Sequence, residues 1–138
     1  MIRVIIADDE KLICRLVQAL ADWDSLGMEV AGTAENGLEA LQLVEALEPD
    51  ILITDIRMPG CDGLELIRRA KELRPQLEVV IISGYAHFEY AQSAIQFGVG
   101  NYLLKPIKKE ELMDTLRKMK ERCEARFDKE EGMAQRHQ

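Results

Sequence analysis

The 138-residue sequence is poor in cysteine, histidine and aromatic residues, and the first two shortages exclude common kinds of small domain. Its cysteines, Cys14, Cys61 and Cys123, are odd in number and far apart, and its histidines are His87 and His137. A disulfide framework or a zinc site is not expected, because both need several Cys or His residues at short, regular spacings. We interpret the three thiols as reduced and inert.

Long apolar segments and an excess of basic residues are also missing. The longest aliphatic runs, 51–53 and 79–82, are far shorter than the roughly 20 residues of a membrane-spanning helix. The start of the chain has no signal-peptide pattern, so we expect a cytoplasmic protein without membrane contact. The formal net charge of −7 predicts that the chain alone binds DNA poorly, because DNA binding needs basic surface.

The residues that are present are typical of one globular domain. Hydrophobic residues make up 47% of the chain and charged residues 31%, and the length is that of an ordinary domain. From about Lys129 onward the apolar period disappears and Gly132 occurs, which favours a frayed tail or a linker. We therefore divide the chain into a domain over residues 1–125 and a helix extension, linker or tail over 126–138.

Short aliphatic runs alternate with helical patterns along the whole chain. The runs cover residues 4–7, 29–32, 51–54, 79–82 and 102–104. Continuous apolar runs predict strands that are covered on both faces, hence a parallel sheet between two layers of helices. We predict a doubly wound, flavodoxin-like (βα)5 fold of the α/β class. Its strand order, 2-1-3-4-5, is that of known proteins with this architecture.

Apolar residues at helical spacing predict the buried face of each helix. Asp62 with Glu65 predicts a capped start for the third helix, and Arg74 followed by Pro75 predicts its end. The fourth helix, around residues 91–98, has mostly small residues and is a candidate moving part. The predicted buried residues are Leu12, Leu16 and Leu20 in the first helix and Leu38, Leu41, Val44 and Leu47 in the second. In the third helix they are Leu66, Ala70 and Leu73, and in the fifth they are Leu112, Leu116, Met119, Cys123 and Phe127.

Polar side chains follow four of the five predicted strands. Asp8 and Asp9 follow the first, Asp55 follows the third, Ser83 follows the fourth and Lys105 follows the fifth. Each alone has an ordinary explanation as a helix cap or a turn residue. Because ligands of such sheets bind at the carboxyl ends of the strands, their coincidence predicts a site there.

These residue types suit the transfer of a phosphoryl group. Clustered carboxylates repel each other, and a hard divalent cation such as Mg²⁺ removes the conflict while sharing the oxygens of a phosphate. Lys105 supplies a positive charge for a phosphoryl oxygen, and Ser83 supplies a hydroxyl donor. Asp55 can act as the nucleophile, because a carboxylate can form an acyl phosphate.

The motifs resemble those of the receiver domains of bacterial two-component response regulators. They are the acidic pair in Ile-Ile-Ala-Asp-Asp-Glu, the run 55–63, Ser83-Gly84 and Leu104-Lys105-Pro106, and the resemblance covers roughly residues 1–125. The resemblance implies a phosphoacceptor that a sensor histidine kinase phosphorylates. It implies no enzymatic activity beyond Mg²⁺-dependent self-phosphorylation from small donors and self-dephosphorylation. The implied roles are phosphoacceptor for Asp55, Mg²⁺ ligands for Asp8, Asp9, Asp55 and the backbone carbonyl of Arg57, phosphoryl binding for Ser83 and Lys105, and rotating switch aromatic for Tyr102.

The resemblance also implies partners beyond the kinase. We also expect a homodimer after phosphorylation through the fourth helix, the fifth strand and the fifth helix, because this face has mixed charges suited to a symmetric pair, at Lys108, Lys109, Glu110, Asp114 and Arg117. Residues 21–28 resemble receivers that are joined to a helix-turn-helix output of the arabinose-regulator type. On this interpretation the protein regulates transcription and contacts DNA only through an output domain outside this chain.

Three alternatives use the same residues differently. A phosphatase of the haloacid-dehalogenase type needs a second Asp two residues after its nucleophile as the general acid, and that position here is Arg57. A nucleotide- or flavin-binding module needs a phosphate-binding loop after the first strand, where Asp8 and Asp9 would repel the ligand. A receiver that signals without phosphate would need no complete set of site residues, whereas this chain has one.

Overall fold

The carboxyl ends of five parallel strands form one edge of a single sheet. The computed structural model describes residues 1–58, 61–84 and 101–136, with the side chains of Arg57, Cys61 and residues 130–136 left out. The sheet contains β1 (Ile2–Ala7), β2 (Met28–Ala34), β3 (Ile51–Asp55), β6 (Glu78–Ser83) and β7 (Asn101–Leu104) in the order β2-β1-β3-β6-β7. Numbered along the chain, these five strands have the predicted order 2-1-3-4-5, so the fold prediction is confirmed.

Helices cover both faces of this sheet. They are α1 (Lys11–Leu20), the single turn α2 (Trp23–Leu26), α3 (Gly37–Leu47), α4 (Gly63–Leu73) and α5 (Lys109–Arg136). One core lies between the sheet, α1 and α5, and includes Val17 and Leu116. The other lies between the sheet, α3 and α4, and includes Val44 and Leu66. The predicted fourth helix, around residues 91–98, lies outside the described residues.

The buried face of α1 differs from the predicted one. Leu12 is 74% exposed and Leu16 is 38% exposed, whereas Cys14 and Val17 are buried. Apolar residues at positions 13, 14, 17, 20 and 21 form a second stripe with equally good helical spacing, and this stripe packs on the sheet. Leu38 of α3 and Leu73 of α4 are also exposed, at 68% and 48%. The spacing therefore predicted the helices correctly but assigned these leucines to the core wrongly.

A short antiparallel pair, β4 (Arg57–Met58) with β5 (Cys61–Asp62), connects β3 to α4 and was not predicted. Asp62 caps α4 by accepting a hydrogen bond from the backbone N–H of Leu64 at 2.9 Å, as expected. Gly63 donates its backbone N–H to the carbonyl oxygen of Ile56 at 2.9 Å. A Cβ atom at position 63 would collide with that carbonyl group, so the close approach requires glycine.

The last helix, α5, runs for 28 residues and ends at Arg136. The helix continues through Gly132, so of the alternatives for residues 126–138 the structure has a helix extension up to Arg136. Leu112, Leu116, Met119 and Cys123 are buried as predicted, and Phe127 is 38% exposed. The domain boundary at residue 125 falls inside this helix and stays a prediction. In the described part of the chain no helix is both long and apolar enough to cross a membrane.

Candidate functional site

The polar residues that follow the strands meet at the carboxyl edge of the sheet. Asp8 follows β1, Asp55 is the last residue of β3, Ser83 is the last residue of β6 and Lys105 follows β7. Parallel pairing aligns these ends, because β3 and β6 pair up to Asp55 and β6 and β7 pair up to Ser83. The backbone N–H of Lys105 then donates to the carbonyl oxygen of Ser83 at 2.8 Å.

Three carboxylates converge at this edge. Asp8, Asp9 and Asp55 can each present a carboxylate oxygen within 4.8 Å of the others, and they form the one group of possible metal ligands among the described residues. The side chain of Asp8 is fully buried and Asp55 is almost fully buried, whereas Asp9 is exposed. Two of the three carboxylates are thus inside the fold, and the third is open to solvent.

Asp8 has a strongly perturbed acidity. Burial raises its pKa from 3.8 to about 6, and the neighbouring charge of Asp55 adds to the increase. A hydrogen bond from the backbone N–H of Glu10 to Asp8 Oδ1 at 2.9 Å and the charge of Lys105 act in the opposite direction. Its other oxygen, Oδ2, is buried and lies 3.2 Å from the ammonium of Lys105, but no described residue offers it a well-aligned hydrogen-bond donor. A divalent cation bound beside Asp9 would satisfy this atom, so the residues fit a Mg²⁺ site.

Lys105 forms ion pairs with both buried carboxylates. Its Nζ atom lies 3.1 Å from Asp55 Oδ2 and 3.2 Å from Asp8 Oδ2. Burial alone would lower the pKa of Lys105, but the hydrogen bond and charge of Asp55 and the charge of Asp8 outweigh it and raise the pKa. The ammonium therefore stays protonated and faces the oxygen atoms at which chemistry would occur.

This geometry agrees with the comparisons between the chain and known proteins. Residues 4–117 match the response regulator receiver domain family. The chain belongs to this family. YesN of Bacillus subtilis, an uncharacterized transcriptional regulatory protein, is 40% identical over 116 residues, which are 84% of this chain and 32% of YesN. The transcriptional regulatory protein HptR of Staphylococcus aureus is 38% identical over 107 residues, which are 78% of this chain and 42% of HptR.

Solved structures show the same similarity. The receiver domain of AraT, a response regulator from Geobacillus stearothermophilus, is 41% identical with a TM-score of 0.87, over 90% of this chain and 96% of that one. A two-component transcriptional regulator, AraC from Clostridium phytofermentans, is 36% identical with a TM-score of 0.82, over 88% and 95% of the two chains. The matched part of the chain spans only 32% of the length of YesN and 42% of that of HptR.

Ser83 and Tyr102 of this receiver contact each other directly. Ser83 is fully buried, and its Oγ atom lies 3.1 Å from the hydroxyl oxygen of Tyr102 and 3.2 Å from the carbonyl oxygen of Gly84. Tyr102 is partly buried and packs against the core between the sheet, α3 and α4. The two residues predicted to form the switch are therefore coupled by a hydrogen bond, and the rotation of Tyr102 stays a prediction.

Two further residues form hydrogen bonds with the backbone of the site aspartates, and a third lies close to Asp55 in sequence. Arg57 lies in β4, two residues after Asp55, and a metal-binding role for its backbone carbonyl stays a prediction. The thiol of Cys14 in α1 donates to the carbonyl oxygen of Asp8 at 3.7 Å, and the hydroxyl of Thr54 donates to that of Asp55 at 2.9 Å. Sequence reasoning gave Cys14 and Thr54 no part in the site, since a lone thiol or hydroxyl in an apolar stretch carries no positional signal.

Proposed function

We propose that this receiver accepts a phosphoryl group on Asp55 from a sensor histidine kinase, in a reaction that requires Mg²⁺. The observation that supports this most is the position of Lys105, whose ammonium is shared between Asp55 Oδ2 and Asp8 Oδ2. A lysine in this place neutralises part of the acidic cluster and leaves a donor beside the nucleophile. Charge on a transferring phosphoryl group is stabilised by such fixed cations.

The proposed transfer requires few atoms to move. A carboxylate oxygen of Asp55 bonds to phosphorus as the bond from phosphorus to the donor nitrogen breaks, and the imidazole of the donor leaves with the electron pair. Lys105 then contacts a phosphoryl oxygen, and Ser83 donates its hydroxyl to another. Both groups end adjacent strands of the same sheet, so the fold brings them to Asp55 without a large rearrangement.

Asp8 and Asp9 would hold the Mg²⁺ ion, together with Asp55 and the backbone carbonyl of Arg57. When bound, the ion neutralises the carboxylates and the oxygens of the phosphoryl group. Asp8 Oδ2 is buried, has Lys105 Nζ 3.2 Å away and has no well-aligned hydrogen-bond donor among the described residues, and this incomplete neutralisation favours a bound cation. Asp9 is exposed and lies on the side from which ion and donor would enter.

A mass measurement tests the assignment. The chain is treated with acetyl phosphate and Mg²⁺, and we expect one added phosphoryl group, located on Asp55. Asp55→Asn and wild-type protein with a strong chelator should both stay unlabelled. Asp62→Asn is the matched control, because asparagine caps α4 as well as aspartate does. Equal labelling of Asp55→Asn, or full labelling with the chelator present, would show that another residue or another reaction is involved.

We also propose that phosphorylation controls an output domain that regulates transcription. YesN and HptR are named as transcriptional regulatory proteins, and both are longer than this receiver. The similar structure from Clostridium phytofermentans is named as a two-component transcriptional regulator, AraC, which supports an output of the arabinose-regulator type. The signal would pass from Ser83 to Tyr102 and the β7–α5 face. A sensor kinase and a DNA-binding output both operate in the cytoplasm, where we place the protein.

A further inference from the structure

The middle of α5 is held against the edge of the sheet that is opposite the site. The buried contacts of this helix continue to Cys123, and two arginines on either side of that residue, Arg122 and Arg126, reach across to the sheet. Arg122 Nη1 lies 3.5 Å from Glu78 Oε2. Arg126 Nη2 lies 3.5 Å from Asp50 Oδ1, and its Nη1 donates to the carbonyl oxygen of Gln76. The side chain of Arg126 is only 15% exposed, so its contacts are partly shielded from solvent.

The acceptor for Arg126 is itself fixed in place. The side chain of Asp50 is 11% exposed, and its Oδ2 atom accepts the backbone N–H of Arg3 at 2.9 Å. Arg74 lies 3.9 Å from Asp50 Oδ1 and donates to the carbonyl oxygen of Pro49 at 2.8 Å. A buried carboxylate with several donors is a rigid anchor, because removing any partner leaves part of its charge unsatisfied.

The two acidic partners occupy related places in the sheet. Asp50 immediately precedes β3, which ends in Asp55, and Glu78 begins β6, which ends in Ser83. The strands are neighbours, and the backbone N–H of Glu78 donates to the carbonyl oxygen of Asp50 at 3.0 Å. The helix is therefore attached to the amino ends of the same two strands whose carboxyl ends carry the phosphoacceptor site.

We propose that Arg122 and Arg126 form a clamp that docks the fourth and fifth turns of α5 onto β3 and β6. The clamp makes residues 127–136 continue as one helix in a direction that is fixed relative to the strands of the site. This device goes beyond phosphoryl transfer and does not depend on it. The clamp orients the chain's own helix extension, the segment through which a following output domain would be connected.

Amide hydrogen exchange of this 138-residue chain tests the clamp. In Arg126→Gln we expect exchange of the amides in 124–136 to accelerate about tenfold, since a charge-assisted hydrogen bond and a partly buried ion pair are lost. Exchange in 109–119 should stay unchanged. Arg117→Gln is the matched control: it removes an arginine of the same helix whose ion pair, with Asp114 at 2.9 Å, is exposed and within the helix. It should not accelerate exchange in 124–136.

Two further variants separate the clamp from general damage to the fold. Arg122→Gln removes only the exposed contact to Glu78, so it should fold normally and accelerate exchange in 124–136 by a smaller factor, about threefold. In an Asp50→Asn background, Arg126→Gln should add less acceleration than in wild type, because the charge partner is already gone. Wild-type exchange rates in Arg126→Gln and Arg122→Gln, or equal acceleration in Arg117→Gln, would overturn the proposal. Labelling of Asp55 by acetyl phosphate should stay intact in Arg126→Gln, so this test and that of phosphoryl transfer fail independently.

Discussion

Replacing Asp8 by asparagine should stabilise this receiver when Mg²⁺ is absent. The carboxyl group has a pKa of 3.8 in the unfolded chain and about 6 in the fold, mainly because it is buried. The folded state thus holds the proton more tightly. The stability that this provides is fully present below pH 3.8 and is lost as the pH rises through 6.

The magnitude follows from the size of this shift. Two pKa units correspond to about 3 kcal/mol, which is the upper limit of what ionised Asp8 costs the fold at neutral pH. Asparagine removes that cost and can still accept the backbone N–H of Glu10. Its amide would face Lys105 Nζ, now 3.2 Å from Asp8 Oδ2, and this contact between two donors offsets part of the gain. We expect a net stabilisation of about 1 to 2 kcal/mol.

Urea unfolding at pH 7.5 and pH 4.5, each with a chelator and with excess Mg²⁺, measures the effect. At pH 7.5 without Mg²⁺ the Asp8→Asn variant should be more stable than wild type, and at pH 4.5 most of the difference should vanish because Asp8 is then largely protonated. Mg²⁺ should stabilise the wild type and not the variant. Asp9→Asn removes an exposed carboxylate from the same cluster and should change the metal-free stability little. A variant less stable than wild type at pH 7.5, or an equal advantage at both pH values, would refute this reasoning.

Four other predictions concern Lys105, Gly63, Leu12 and the oligomeric state. In calorimetry, Lys105→Ala should bind Mg²⁺ at least as tightly as the wild type, because the ammonium no longer competes for Asp8 Oδ2. The variant should nevertheless respond poorly to phosphorylation, and a large loss of Mg²⁺ affinity would contradict this prediction. Gly63→Ala should lower the free energy of unfolding by about 1 to 3 kcal/mol, because its Cβ atom collides with the Ile56 carbonyl. Gly84→Ala should not, because no atom of the described residues lies within 4 Å of the added Cβ. Leu12→Ser should leave stability within about 0.5 kcal/mol and labelling by acetyl phosphate intact, because Leu12 is 74% exposed. We expect it to slow transfer from a cognate kinase, since an exposed leucine in the first turn of α1, four residues after Asp8, is available to a partner, and unchanged transfer would contradict this. A beryllofluoride phosphoryl mimic should shift the chain toward a dimer through β7, α5 and the predicted helix at 91–98, and an unchanged monomer fraction in sedimentation would count against this interface.

The sequence by itself determined the sheet and the position of the site. Buried parallel strands appear as continuous aliphatic runs, so all five strands of the main sheet were located to within three residues at either end. Because such strands end at a common edge, and because the strand order was taken from known proteins of this architecture, Asp8, Asp55, Ser83 and Lys105 could be placed at one edge. The ion pairs of Lys105 and the raised pKa of Asp8 came only from the folded structure.

The tertiary structure alone decided which faces of the helices are buried and how far the last helix reaches. Leu12 and Leu16 have the spacing of core residues, but the neighbouring stripe with Cys14 and Val17 packs on the sheet. Helical spacing defines a face without saying what that face touches. Arg126 contacts Asp50, which lies 76 positions earlier in the sequence, and Gln76, which lies 50 positions earlier. No local sequence pattern encodes these contacts. Such pairs are set by the packing of α5 against the sheet, so only the folded chain reveals them.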